Sequence, residues 1–247
     1  MTQTFSYAVI ADPHFEERDS HRDQFLACFH ACERFSGDGY PDFALVLGDI
    51  HLWAAGDAID RAPIPLHVIA GNHEIGKRKA ELRARFSEDF RVNGEPSDYY
   101  SFVHKGVRFI GICNAGSGGD HVGQLASSDF GPRGQCEWLE SELGGPEEKK
   151  IIFAHIPPEP NGSDANMYMA RNDSRYFNDL IHRTQPTALF FGHLHRPTHS
   201  YTIGASRLHV VCSCAWNFDN ELPAFLLVRV YQCGLDVEEI ATAKPVE

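Results

Sequence analysis

The apolar positions of this chain fall into two kinds of run. Five continuous stretches, "FSYAVIAD" (5–12), "DFALVLGD" (42–49), "PLHVIAGN" (65–72), "KIIFAHIPP" (150–158) and "TALFFGHLH" (187–195), read as strands buried on both faces. Between them, apolar residues recur at helical spacing over 23–35, roughly 77–89, 134–143 and 174–183. Residues 99–114 read as a hairpin turning at Lys105-Gly106. The tail adds strands in "SYTI", "RLHVVCS" and "PAFLLVRVY". Strand–helix alternation followed by a strand-rich end predicts α/β layers, with parallel strands joined by crossover helices and antiparallel strands added late. The longest irregular piece spans 157–173, a length at which loops are often functional.

The buried strands share a kind of ending. They close on Asp12-Pro13-His14, Gly48-Asp49, Gly71-Asn72-His73-Glu74, Ala154-His155 and Gly192-His193-Leu194-His195. Parallel strands of an open sheet place their carboxyl ends along one edge, where ligands bind. Asp12, His14, Asp49, Asn72, His155, His193 and His195 would then converge. Glycine immediately before Asp49, Asn72 and His193 lets the backbone turn and approach closely. Carboxylate, amide oxygen and imidazole suit hard or intermediate divalent metals, and the lack of cysteine argues against a structural zinc site. That many donors exceed one four-coordinate ion. They suit two ions sharing a carboxylate, an arrangement about 3.5–4 Å across that activates water and clamps the oxygens of an in-line displacement. A lone Asp-x-His or Gly-Asp is ordinary turn chemistry; recurrence at successive strand ends carries the reading.

In this order, these motifs resemble the calcineurin-like metallophosphoesterase family, and compact bacterial phosphodiesterases in particular. "GQCEWLESEL" is similar to the family's Gln-x-x-Trp-Leu helix, and the resemblance runs from residue 5 to about 230. It implies a single domain over 1–247, folded as an αββα sandwich of two mixed sheets flanked by helices. It also implies two divalent or mixed-valence metal ions (Mn, Fe or Zn). Asp12, His14, Asp49 and His195 would hold one ion. Asp49, Asn72, His155 and His193 would hold the other, with Asp49 bridging. His73 matches the histidine that contacts the leaving-group oxygen. The implied activity is phosphoester hydrolysis by metal-bridged hydroxide, with a lean toward a cyclic-nucleotide-type phosphodiesterase. A nuclease of the same fold and a non-catalytic metal-binding scaffold are the alternatives. Leu52 stands where purple acid phosphatases place a tyrosine. Arg78, set behind Ile75-Gly76-Lys77, matches the protein Ser/Thr phosphatases poorly.

Composition adds limits. The chain has 247 residues with a formal net charge of −12, a poor footing for gripping nucleic acid through its phosphates. Bound cations reverse the local sign, so a small phosphorylated substrate is the expected partner. No apolar run approaches the roughly 18 residues of a membrane span, and the start carries no basic region before an apolar stretch. The expectation is a cytoplasmic protein without a membrane partner. Oligomeric state is not legible. The seven cysteines show no paired Cys-x-x-Cys spacing and read as reduced thiols, with Cys28 and Cys32 on one helix face. His51 is open between a role near substrate and a place on a loop, and Trp53 between cleft wall and packing. Asn161, Tyr168, Arg171 and Arg175 are candidates for phosphate or base contacts. His21, His30, His67, His104, His121, His182, His199 and His209 fall outside the strand-end pattern and receive no site role.

Overall fold

Each continuous apolar run becomes a strand that stops where its polar ending begins. The computed structural model describes residues 3–35, 40–115, 120–126, 133–161 and 165–242. The first elements are β1 (Gln3–Ile10), α1 (Ser20–Phe35), β2 (Phe43–Val46), β3 (Leu66–Val68) and α2 (Lys77–Arg85). A short hairpin, β4 (Arg91–Val92) and β5 (Glu95–Pro96), precedes β6 (Tyr100–His104), β7 (Val107–Gly111), α3 (Gln135–Leu143) and β8 (Lys149–Phe153). Then come α4 (Arg171–Thr184), β9 (Ala188–Phe191), β10 (His199–Ile203), β11 (Ser206–Val210), β12 (Ala224–Tyr231) and β13 (Gly234–Ala241).

Two mixed sheets result, ordered β13-β12-β1-β2-β3 and β10-β11-β9-β8-β7-β6. In the first, β1, β2 and β3 are parallel, and β12 and β13 add on antiparallel. In the second, β7, β8, β9 and β11 are parallel between the antiparallel strands β6 and β10. Aromatic rings join the two sheets. Tyr7 stacks on Phe43 at 5.4 Å within the first sheet, and both meet Phe109 of the second edge-on at 5.1 Å. Phe190 closes on Tyr7 at 6.2 Å and 89°. These edge-to-face contacts add to the burial of rings that are already costly to expose. With α1 against β1 and β12, and α4 against β10, the layers form the expected αββα sandwich.

Some boundaries differ from the sequence pattern. β9 stops at Phe191 rather than at His195, because His193 turns left-handed at φ 75°. α2 ends at Arg85; Phe86 leaves the helical region, and a turn rather than a further helical repeat buries Phe90. α4 begins earlier than expected, at Arg171, and so shortens the long loop. β13 was not anticipated. As an edge strand paired only with β12, its acidic residues stay partly exposed and mask the strand signal. The Lys105-Gly106 turn is as read: both residues have positive φ, 45° and 80°, as a two-residue hairpin requires. Among the described residues no helix is long and apolar enough to cross a membrane.

Phe109 is fully buried and touches rings of both sheets. Phe109→Ala is expected to lower the unfolding free energy by about 3–5 kcal/mol. Urea unfolding tests this: the midpoint should fall with an unchanged slope. A loss below about 1 kcal/mol would place the inter-sheet contact elsewhere.

Candidate metal centre

Three strands end in the same backbone hook. Asp12-Pro13-His14 follows β1, Asp49-Ile50-His51 follows β2, and His193-Leu194-His195 follows β9. In each, the first and third residues are left-handed, with φ between 46° and 75°. These are six of the eleven left-handed non-glycine residues among the described residues, so the backbone strain of the fold is concentrated here. The hooks brace one another. The amide of His14 donates to the Asp49 carbonyl at 2.9 Å, and the amide of His193 donates to Asp12 Oδ2 at 2.9 Å. Glu74 ties two strand ends together. Its carboxylate accepts amides of Asp49 (2.9 Å), His51 (2.9 Å) and Gly71 (2.8 Å).

Gly48 serves both rotation, at φ 86°, and approach, whereas Gly71 and Gly192 serve approach alone. Gly71 and Gly192 do not have positive φ. A Cβ on Gly71 would collide with the Asp49 carboxylate, and one on Gly192 would lie 2.6 Å from Asp12 Oδ2.

The structure gathers the expected donors into two groups. Asp12, His14 and His195 bring one donor atom each within 4.8 Å of one another, and so do Asp49, His155 and His193. Asn72 Oδ1 lies 3.0 Å from His155 Nε2, which places it with the second group. Asp49 Oδ2 lies between the groups, 3.7 Å from His14 Nε2 and 3.3 Å from His155 Nε2. His73 stands at the mouth, with its side chain 39% exposed and Nε2 3.9 Å from Asp49 Oδ2.

Whether cations fit here follows from the ring tautomers. A carbonyl can only accept, so the nitrogen facing it carries the proton. His155 Nδ1–H donates to the Leu47 carbonyl at 2.6 Å, His195 Nδ1–H to that of Trp216 at 2.8 Å, and His193 Nε2–H to that of His121 at 3.1 Å. Each ring then turns its other nitrogen inward, and that nitrogen is bare when the ring is neutral. His155 Nε2 meets His193 Nδ1 at 3.1 Å, and His195 Nε2 meets His14 Nε2 at 3.0 Å. Asp12 Oδ1 is buried among these acceptors with no hydrogen bond. Lone pairs packed against lone pairs and carboxylates are what divalent ions require, and the outward N–H bonds are the supports that fix such ligands.

The electrostatics of the protein without ions carry the same tension. Burial opposes a charged His155, yet the Asp49 and Asp12 carboxylates and the Leu47 carbonyl prevail and raise its pKa to about 9. Burial and the neighbouring His155 drive His193 down to about 2. Burial works against the Asp49 anion, but His155, His14 and His73 hold its carboxyl well below the usual range. Burial and the Asp49 charge push Glu74 up to about 7, against the amides that favour its anion.

Other sequence candidates are sorted by position. His51 is buried at the centre, where its ring nitrogen joins those of His14 and His73 within 4.8 Å. Trp53 stacks on it at 4.9 Å and 13°. Arg171 and Arg175 occupy exposed positions on α4, Tyr168 is half-buried in the preceding loop, and the Asn161 amide donates to Glu159. Sequence reasoning gave no role to Glu74, His121 or Trp216. Glu74 was visible inside "GNHE", but its work is done on backbone amides. The carbonyls of His121 and Trp216 act, and a carbonyl leaves no trace in residue type. Trp216 also stacks on His195 at 4.0 Å.

Known proteins resemble this chain in sequence and in fold. The sequence model of the calcineurin-like phosphoesterase family matches residues 5–197. A cAMP/cGMP dual specificity phosphodiesterase from Mycobacterium tuberculosis (strain CDC 1551 / Oshkosh) is 29% identical over 137 residues, covering 55% of this chain and 39% of that protein. The serine/threonine-protein phosphatase CPPED1 from Homo sapiens is 29% identical over 148 residues, covering 56% of this chain and 44% of that protein. The chain thus spans under half the length of these relatives. A dimetal phosphatase from Danio rerio has a similar fold, with a TM-score of 0.66 at 14% identity over 98% of this chain and 100% of that one. Two sheets with their parallel strand ends on one edge, a shared sequence model over most of the length and buried donors suited to divalent ions agree: the chain belongs to the calcineurin-like phosphoesterase family.

Proposed function

We propose that this protein hydrolyses a small phosphoester at a two-metal centre, with a diester of the cyclic-nucleotide type as the preferred substrate. The observation that carries the reading is the pair of inward-facing imidazole contacts on either side of Asp49. Asp12, His14, Asp49 and His195 would hold one ion; Asp49, Asn72, His155 and His193 would hold the other. When bound, such ions supply Lewis acidity toward phosphoryl oxygens and a nucleophile at neutral pH. The likeness to a cAMP/cGMP phosphodiesterase supports the diester preference.

The chain's own groups have distinct tasks. Asp49 spans the two groups and is held by its hook, while its Oδ1 accepts the His73 amide at 3.0 Å. That bond sets His73 beside the reacting position. With its ring at the cleft mouth, His73 stabilises or protonates the departing oxygen. Leu47, His121 and Trp216 keep three imidazoles in the required tautomer through their carbonyls.

Asp49→Asn is expected to lower metal content and to reduce turnover at least about a hundredfold. His73→Ala should retain metal yet lose about 10²–10⁴-fold on an alkyl phosphoester, and far less on a nitrophenyl ester, whose departing oxygen needs no proton. Metal analysis with steady-state kinetics on both esters checks this; wild-type turnover by both variants would overturn the assignment.

Protonated His155 competes with metal. Its pKa is raised to about 9, so the proton must leave on binding below that pH. Apparent Mn²⁺ affinity should therefore rise about tenfold from pH 7 to pH 8, with proton release. Calorimetry in buffers of different ionisation enthalpy measures both. An affinity independent of pH would place the ion away from His155.

Hydrolysis of 3′,5′-cyclic AMP is expected to exceed that of an alkyl phosphomonoester in kcat/KM. Equal or reversed values in the Mn²⁺-loaded protein would remove the diester preference and leave the phosphoesterase reading intact.

A further inference from the structure

We propose that His51 and Arg78 form an anion subsite beside the reacting centre, taking a second phosphate or carboxylate on the departing half of the substrate. This rests on the phosphoesterase reading and on the placement of His73 at the leaving group, and stands apart from the preference for a cyclic diester.

The first observation is the hook itself. His51 occupies the same position after Asp49 that His14 occupies after Asp12 and His195 after His193, with the same left-handed backbone. It is the third histidine of this kind and the one outside both donor groups around Asp12 and Asp49. Its side chain is 3% exposed, and neither ring nitrogen has a hydrogen bond. A buried imidazole with both nitrogens unsatisfied is costly unless something polar reaches it. An imidazole always carries at least one N–H, so an anion reaching this ring would meet a donor.

The second observation is a row of ring contacts leading outward. The His73 and His51 rings lie 4.8 Å apart, the Trp53 indole lies 4.9 Å from His51, and the Arg78 guanidinium covers the indole at 3.7 Å. Stacking fixes the guanidinium plane and leaves its N–H edge for a planar, two-oxygen acceptor. Glu16 Oε2 is 4.0 Å from Arg78 and 3.7 Å from His51 Nδ1, too far to hydrogen-bond either. Its side chain is half exposed. Glu16 thus occupies the approach to both donors, and an incoming anion would take its place.

The third observation is the start of α2. Its first turn carries Lys77 and Arg78, contains no acidic residue, and has no side-chain cap at Gly76. The helix dipole disfavours cations there, and an incoming anion offsets that placement. Because His51 and Trp53 separate Arg78 from His73, the second anion lies several bonds from the scissile phosphorus, across a spacer the size of a ring.

The test uses the full chain loaded with Mn²⁺ and matched aryl phosphates: 4-carboxyphenyl phosphate, its uncharged 4-carboxamidophenyl counterpart, and 1,4-phenylene bisphosphate. Charged over uncharged kcat/KM, measured on one protein, cancels any general loss of folding or turnover. Wild type is expected to favour the charged probes about tenfold or more, chiefly through KM. Arg78→Met should bring the ratio near one, Arg78→Lys should retain part of it, and Glu16→Gln should raise it by removing the competing carboxylate. The larger of the two charged-probe preferences identifies carboxylate or phosphate as the natural group. A wild-type ratio of one, or a ratio unchanged in Arg78→Met, overturns the subsite while the phosphoesterase reading stands. No hydrolysis of any probe overturns the subsite, and a failure to hydrolyse 3′,5′-cyclic AMP as well overturns the phosphoesterase reading.

Discussion

The structure depends on one constraint: buried imidazoles and carboxylates are packed face to face with more acceptors than protons to share. Ring nitrogens of His14, His155, His193 and His195 point at each other and at Asp12 and Asp49. In a metal-free interior this is repulsive, and only protonation of some rings relieves it. Divalent ions relieve it without protons. The rest of the fold holds these acceptors where they would not otherwise stay. Parallel strands of both sheets end on one edge, left-handed hooks turn the donors inward, and carbonyls behind three rings prevent the imidazoles from turning over.

The sandwich supplies the stiffness this needs. Tyr7, Phe43, Phe109 and Phe190 lock the sheets face to face, so β1 and β2 of one sheet keep a fixed distance from β8 and β9 of the other. Asp12 and Asp49 come from the first sheet, and His155, His193 and His195 from the second. Neither donor group is complete within one sheet. Inter-sheet packing is therefore part of the metal chemistry, and core volume at Phe109 matters to the geometry of the centre.

Much of this was legible in the residues. The donor set could be read because each member closes an apolar run, and buried strands advertise their ends. That the ends share an edge followed only if the strands are parallel neighbours, and the two-sheet sandwich came from the family resemblance, because strand order is not written in the apolar pattern. What escaped has a common cause. Glu74, His121 and Trp216 act through contacts to or from the backbone, which residue type does not encode. β13 escaped because an edge strand with acidic outward positions lacks the apolar run that marked the others. His51 stayed ambiguous in the sequence, since the repeated donor-x-His hook becomes one pattern only when backbone angles at three distant strands are compared.

The Glu74 clip has a kinetic consequence. One carboxylate holds the amides of Asp49, His51 and Gly71, which belong to two neighbouring strand ends. Those amides are withdrawn from solvent together, and no one of them opens without weakening the grip on the others. Local breathing at the ends of β2 and β3 is thereby converted from independent fraying into a single cooperative event. The donors on this side of the centre are thus ordered during folding of the chain. An ion bound there would meet donors that are already in place.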